Sequence, residues 1–281
     1  MKVGLLSIKG RSKNLICTAI LTILVVVTLR IFLFASFSIP SASMAPTLLP
    51  GDHIIVNKMI PGPRFDWLTR ALSKNKKSTF RGWGVRSILR KDVLVFNAPY
   101  HTSDNIEKNL NVYYIKRCAG IPGDTLYIKN GIYVLKNEQQ SSSISLPFTG
   151  HVDEFFQPEM FKAFGWTLTK FGPLYIPKKL DTIPINLINI YVYKRLIEYE
   201  TNKKITIDEN KVYLDGHPFN EYIFKQNYYF VIGDDAVDSN DSRYWGLLPE
   251  DHIVGRASFI WKSVDPQSHQ LRLNRTLKYI N

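Results

Sequence analysis

Cysteine is almost missing from this chain of 281 residues, which has only Cys17 and Cys118. Cys17 lies in an apolar N-terminal run and Cys118 far along in polar sequence, so no disulfide is expected. That sets the chain apart from small secreted folds held by cystine staples. A second long apolar stretch is also lacking, which excludes a polytopic membrane protein. There is no H-E-x-x-H and no Cys/His ligand cluster, so neither a metal nor any other cofactor is expected. No G-x-S-x-G elbow occurs, and none of His53, His101, His151, His217, His252 or His269 sits in a recognisable catalytic motif. Acidic residues are the scarcer charge, 24 against 36 basic, for a net +12. Such a balance suits an anionic membrane surface or nucleic acid equally. No nucleic-acid recognition motif accompanies it, so a nucleic-acid partner is not expected.

What is present points to strands. Hydrophobic residues at 45% and charged ones at 21% exclude wholesale disorder, and 16 Phe with 15 Tyr favour sheet over helix. The exception is the N-terminus. Lys2, Lys9, Arg11 and Lys13 precede an uncharged run from Leu15 to Leu29, and after Arg30 the apolar character resumes as IFLFASFSI. A bilayer core needs about 20 apolar residues in helix, reached here if Arg30 snorkels to the far interface. Residues 1–13 then read as a cytoplasmic basic flank and 14–35 as a single membrane anchor, with the rest outside by the positive-inside rule. A cleavable signal peptide is the alternative, since small residues follow at Ala35, Ser36 and Ser38.

Beyond the anchor, alternating runs bounded by Gly or Pro mark strands at 53–59, 92–98, 111–119, 211–216, 228–234 and 255–264. Turns are expected at Pro50-Gly51-Asp52 and Pro122-Gly123-Asp124. Residues 36–137 and 211–270 read as one β domain carrying a basic insertion at 60–91. Residues 138–210, polar and aromatic, read as an inserted second lobe, and 271–281 as a C-terminal tail.

Three segments carry chemistry. Pro40 enforces an extended entry to SASMAPTLLPGD, where Ser41 and Ser43 share a face with Phe37 and Ile39 behind them. A serine needs a base to become a nucleophile, and a second hydroxyl nearby can donate to an oxyanion. Taken alone, Ser-x-Ser is more often a cap or turn. In NVYYIKRCAGIPGD, period-two alternation sets Val112, Tyr114, Lys116 and Cys118 on one face and Arg117 on the other. A free lysine has a pKa of about 10.4, but apolar burial can lower it by ~3–5 units and make it a general base. An edge lysine with its stem over the core is the plainer reading. The third segment, YYFVIGDDAVDSNDSRYWGLLPEDHIVGRA, starts as a buried strand, turns at Gly233-Asp234 and enters a loop dense in Asp and Ser. Such a loop can position the lysine. As a calcium site it lacks the glycine and terminal glutamate of an EF-hand.

These phrases, in this order, resemble the signature segments of bacterial type I signal peptidases. The likeness covers the anchor, RIFLFASFSIPSASMAPTLLPGD, DVLVFNAP, YYIKRCAGIPGD and GDDAVDSNDSRYWGLLPEDHIVGRA. It implies a mainly β catalytic domain with an inserted lobe, preceded by one transmembrane helix and facing the outer side of the cytoplasmic membrane. It also implies secretory preproteins as substrates and membrane lipid as a partner. By the same resemblance Ser43 is the nucleophile, Lys116 the general base, and Ser41 with the Ser43 N–H the oxyanion hole. Ser239 hydrogen-bonds the lysine, Asp241 and Arg243 brace the site through a salt bridge, and Asp234 supports it. Phe37, Ile39, Pro40, Tyr113 and Tyr114 receive an extended substrate, with cleavage after small residues. The family's Gly-Asp-Asn-Arg is replaced here by Gly233-Asp234-Asp235-Ala236. With that departure, a catalytically silent homologue that grips preproteins or lipid stands as the second reading.

Overall fold

The computed structural model describes residues 3–65, 80–99, 105–129, 132–136, 141–144, 164–167, 170–235 and 238–280. Helix α1 spans Val3–Phe32, and Leu33 alone separates it from strand β1, Phe34–Ser38. The helix therefore ends at Phe32, short of the residue 35 expected as the end of an anchor. Phe34 and Ala35 pair with Asn57 and Val56 of strand β2 (Asp52–Asn57), and this ladder ends the helix in the middle of a continuous apolar run. Among the described residues no helix is long and apolar enough to cross a membrane. The side chains of residues 14–28 all stand exposed.

The chain is mainly β. Further strands are β3 (Val93–Asn97), β4 (Tyr113–Gly120), β14 (Tyr228–Ile232), β15 (Leu248–Pro249), β16 (Ile253–Ser263) and β17 (Lys278–Tyr279). They join β1 and β2 in an antiparallel sheet ordered β1-β2-β16-β3-β4-β14-β15, with β17 on β16. The long β16 pairs β2 through one part of its length and β3 through another, and its register shifts between Ile253/Gly255, Ala257/Phe259 and Ile260/Lys262. Each irregularity bends the strand and increases its twist. The sheet curls until β1 faces β4, four places along the order, with the Phe37 and Tyr113 rings 4.9 Å apart. Ile39, Met44, Leu48, Ile54, Val56, Val93, Val95 and Ala257 fill the curl.

Both Pro-Gly-Asp turns are built alike. Gly51 and Gly123 take positive φ, which glycine adopts without steric cost. The aspartate that follows accepts the N–H three residues back: Leu49 to Asp52 and Ile121 to Asp124, at 2.9 and 3.0 Å. An arginine closes each, Arg275 on Asp52 and Arg90 on Asp124.

A second sheet is ordered β7-β6-β5-β8, from Ser141–Ile144, Ile132–Lys136, Thr125–Lys129 and Lys170–Tyr175. Helix α2 (Ile190–Thr201) buries Ile190, Tyr193, Leu196 and Ile197, a helical stripe that the sequence reading had left unassigned. Three short strands, β10 (Ile205–Asp208), β11 (Lys211–Leu214) and β12 (His217–Pro218), form a small sheet, and β9 (Thr182–Pro184) pairs with β13 (Glu221–Ile223).

These pairings move the expected boundaries. The second lobe begins near residue 125 rather than 138, because β5 and β6 join its sheet. It returns near residue 223 rather than 210, because β13 pairs back to β9. Segment 271–281 is no loose tail: β17 hydrogen-bonds β16, and Ile280 is buried in the core of the curled sheet. One apolar cluster runs from α2, β5, β6 and β8 to Ala119, Phe230 and Ile232 of β4 and β14, so the second lobe packs onto the strand pair behind Lys116. Of the basic insertion expected at 60–91, residues 66–79 lie outside the described residues. Its described ends meet at an Arg64–Arg81 bridge, and both guanidiniums donate to carbonyls of 250–253.

Candidate active site

Ser43 lies just beyond β1, in the loop that Ile39 and Asp52 tie shut through Ile39 N–H to the Asp52 carbonyl at 2.9 Å. Lys116 comes from β4, opposite Leu94 of β3 and on the same face as Tyr114 and Cys118. The curl brings the two side chains together, and Lys116 Nζ donates to Ser43 Oγ at 2.6 Å. Lys116 is only 5% exposed. Burial pushes its pKa down, and Arg243 adds to that, while Asp241, Asp238 and Asp234 pull the other way. Desolvation wins because none of those carboxylates is an ion-pair partner of the amine.

The adjacent cation is treated differently. Arg117 points to the other face and makes a forked pair with Asp234, Nε and Nη2 each 2.6 Å from a carboxylate oxygen, with Thr47 Oγ1 a third acceptor at 3.1 Å. This clasp ties β4, the loop after β14 and the Ser43 loop together. Asp234 was expected in support; Arg117 and Thr47 were not, since only the folded sheet brings residues so distant in sequence together.

Behind the lysine, helix α3 (Ser242–Trp245) is capped by Asp241. That carboxylate is fully buried and accepts from Arg243 Nε at 2.8 Å, Arg243 Nη2 at 2.7 Å, Gly233 N–H at 2.9 Å and Ser239 Oγ at 2.7 Å. The Asp241–Arg243 pair thus exists as geometry. Ser239 does not donate to the lysine; the nearer carboxylate takes its hydroxyl. Gly233 is forced by space: a Cβ there would collide with Ser239 and with the Ser43 carbonyl. That carbonyl instead accepts from Asp235 N–H at 3.2 Å. Of the departing loop, Ala236 and Val237 lie outside the described residues.

Beside the Ser43–Lys116 contact opens a cleft of about 600 Å³. Phe37, Ile39, Pro40, Ser41, Tyr113 and Tyr114 all line it, so the residues expected to receive substrate and oxyanion are brought to one place. Its long walls are strand edges. Among the described residues β1 pairs only with β2, and β14 reaches β4 only at Arg117, Cys118 and Gly120, leaving the β4 edge at 113–116 open. Among the described residues no group of three or more His, Cys, Asp or Glu is placed to hold a metal.

Residues 12–262 match the family described as signal peptidase, peptidase S26. The chain belongs to that family. A signal peptidase I of Buchnera aphidicola subsp. Baizongia pistaciae is 30% identical over 252 residues, covering 85% of this chain and 73% of that one. Another from Buchnera aphidicola subsp. Schizaphis graminum is 29% identical, covering 89% and 74%. One from Haemophilus influenzae is 28% identical, covering 88% and 68%. As a member of the signal peptidase family the chain carries its Ser–Lys contact at the mouth of an open two-edged cleft, and Arg117, Thr47 and Gly233 are the parts of that site that sequence reasoning missed. Only Gly233 left a local signal, a glycine ending a buried strand.

Proposed function

We propose that this membrane-anchored serine endopeptidase removes signal peptides from exported preproteins by a Ser43–Lys116 dyad. The observation that carries the reading is the 2.6 Å contact between Ser43 Oγ and a buried amine whose pKa is lowered. With the amine neutral, its lone pair takes the Ser43 proton as Oγ attacks the scissile carbonyl carbon. The carbonyl oxygen becomes an oxyanion, received by the Ser43 N–H and the Ser41 hydroxyl. Lys116 then gives the proton to the departing amine nitrogen, leaving an ester on Ser43. Water, deprotonated by the same amine, hydrolyses that ester and restores the dyad.

Substrate enters as an extended segment between the free edges of β1 and β4 and hydrogen-bonds to both. Phe37, Ile39 and Tyr114 narrow the space beneath it, which supports cleavage after small residues. Asp241 with Arg243, Ser239 and Asp234 hold the loop around the lysine. The apolar side chains of 14–28, exposed on every side of α1, support a single-pass anchor in a bacterial cytoplasmic membrane. The basic flank stays inside and the cleft faces out. Lipid is then the partner of α1.

Ser43→Ala and Lys116→Ala should each reduce turnover of a preprotein by at least about 10³-fold, with the thermal transition retained. Near-normal turnover in either variant would remove the mechanism.

A further inference from the structure

The cleft beside Ser43 is poor in charge. Of the residues that line it, only Lys116 and Asp238 carry side chains that ionise near neutral pH; the rest are apolar, aromatic, hydroxyl or amide. Asp238 is exposed there, as is Asn240 beside it. Among the described residues its carboxylate has no ion-pair partner, and its main-chain N–H reaches Asp235 Oδ1 only at 3.4 Å. Two other aspartates of the same loop are treated differently: Arg117 neutralises Asp234, and Arg243 neutralises Asp241.

The strand edges say which part of a bound peptide Asp238 meets. The β4 edge is open at 113–116 and closed by β14 from Arg117 onward. A peptide paired along the open edge therefore reaches Lys116 at its scissile bond, and the chain beyond must run out past the loop that follows β14. The chemistry asks for the same direction, since Lys116 gives its proton to the departing amine. The first residues of the departing segment thus face Asp238 and Asn240.

We propose that Asp238 is a specificity-determining residue: it favours preproteins with a basic side chain in the first two positions after the cleaved bond and disfavours acidic ones there. This rests on the Ser43–Lys116 reading and adds a charge preference on the leaving side. With Lys116 neutral in the working enzyme, Asp238 is the one charge among the described lining residues. A peptide lying over the cleft strips water from it, and a carboxylate that loses water without a partner is disfavoured. A lysine or arginine of the peptide supplies the missing counter-charge, whereas an acidic side chain adds repulsion at short range. Asp238 is also one of the carboxylates that favour the protonated amine, so a cation seated on it eases the deprotonation of Lys116.

The test uses the full chain in neutral detergent micelles at low ionic strength. The probes are synthetic peptides cleaved after small residues, identical except for Lys, Gln or Glu in the first or second position after the scissile bond. Expected in the wild type is a kcat/KM about fivefold higher for Lys than for Glu in at least one of those positions. Asp238→Asn should bring that ratio to within about 1.5-fold, and Asp238→Lys should invert it. Asp208→Asn removes the same charge from an exposed position on the second lobe and should keep the wild-type ratio. A wild type that does not distinguish Lys from Glu overturns the proposal. So does a ratio that survives Asp238→Asn, or one that Asp208→Asn erases equally. Ser43→Ala in the same assay separates the two claims. An active Ser43→Ala removes the dyad and this inference with it, whereas an inactive one beside an unselective wild type removes only the role of Asp238.

Discussion

Two charges are buried around the loop that carries Ser43, and the fold treats them in opposite ways. Asp52 closes the loop and is fully buried, yet it meets Arg275 at 2.7 Å, Ser263 Oγ at 2.6 Å and Leu49 N–H at 2.9 Å. Burial pushes its pKa up, but Arg275, Leu49 and Ser263 outweigh that, and the net shift is downward. Lys116 faces the middle of the loop with a hydroxyl as its hydrogen-bond partner, and there desolvation prevails. The same dry interior favours ionised Asp52 and neutral Lys116. What differs is whether a counter-charge lies within contact. One site holds the loop shut, and the other leaves a base for the loop's serine to use.

The contrast can be broken most severely at the closed end. Asp52→Ala leaves Arg275 facing a buried void and should destabilise the protein by about 3–5 kcal/mol in urea melts, since breaking one side of a buried pair costs that much. A loss below about 1 kcal/mol would mean the knot is ornamental. The pH dependence of stability sharpens the comparison further. For Asp52 the folded pKa lies below the unfolded one, so its contribution is complete above about pH 4 and is lost as pH falls through the folded value. Asp52→Asn should flatten the acid limb of stability against pH, measured by thermal melts. For Lys116 the folded pKa is also lowered, but the group is a base. Between that lowered value and about 10.4 the unfolded chain binds the extra proton, so stability rises with pH across the interval and is weakest below it. The smallest effect follows: Lys116→Met should abolish turnover yet gain roughly 1 kcal/mol at neutral pH, as removal of a strained functional group often does. Equal stability losses at Asp52 and Lys116 would erase the distinction drawn between them.

Much of the large sheet was legible because its strand ends carry Pro, Gly or Asp and β2 alternates, although β3 and β14, expected to alternate, are buried along their whole length. The facing of Lys116 was legible for a related reason: period-two alternation along NVYYIKRCA separates Lys116 from Arg117, while its pairing with Ser43 came only from the family resemblance. What sequence could not supply was pairing. Nothing local in Thr125–Lys136 says that β5 and β6 leave the first sheet for the second. Helix α2 was hidden by composition, since IYVYKRLIEYET is rich in β-branched and aromatic residues, and only the packing of Ile190, Tyr193, Leu196 and Ile197 reveals its period. β1 was masked by an apolar run that continues without a break from the helix into the strand. Ser239 was expected to hydrogen-bond the lysine, but a carboxylate two residues away is the stronger acceptor for its hydroxyl.

Leu33 is all that lies between α1 and β1. A joint of one residue has almost no slack, so the helix acts as a stiff lever on one rim of the cleft. Tilting it would tug the β1 edge relative to β4, and the spacing that admits an incoming strand would change with it. A few glycines spliced in at residue 33 would turn that lever into a slack tether, leaving the rim to be held by its ladder to β2 alone.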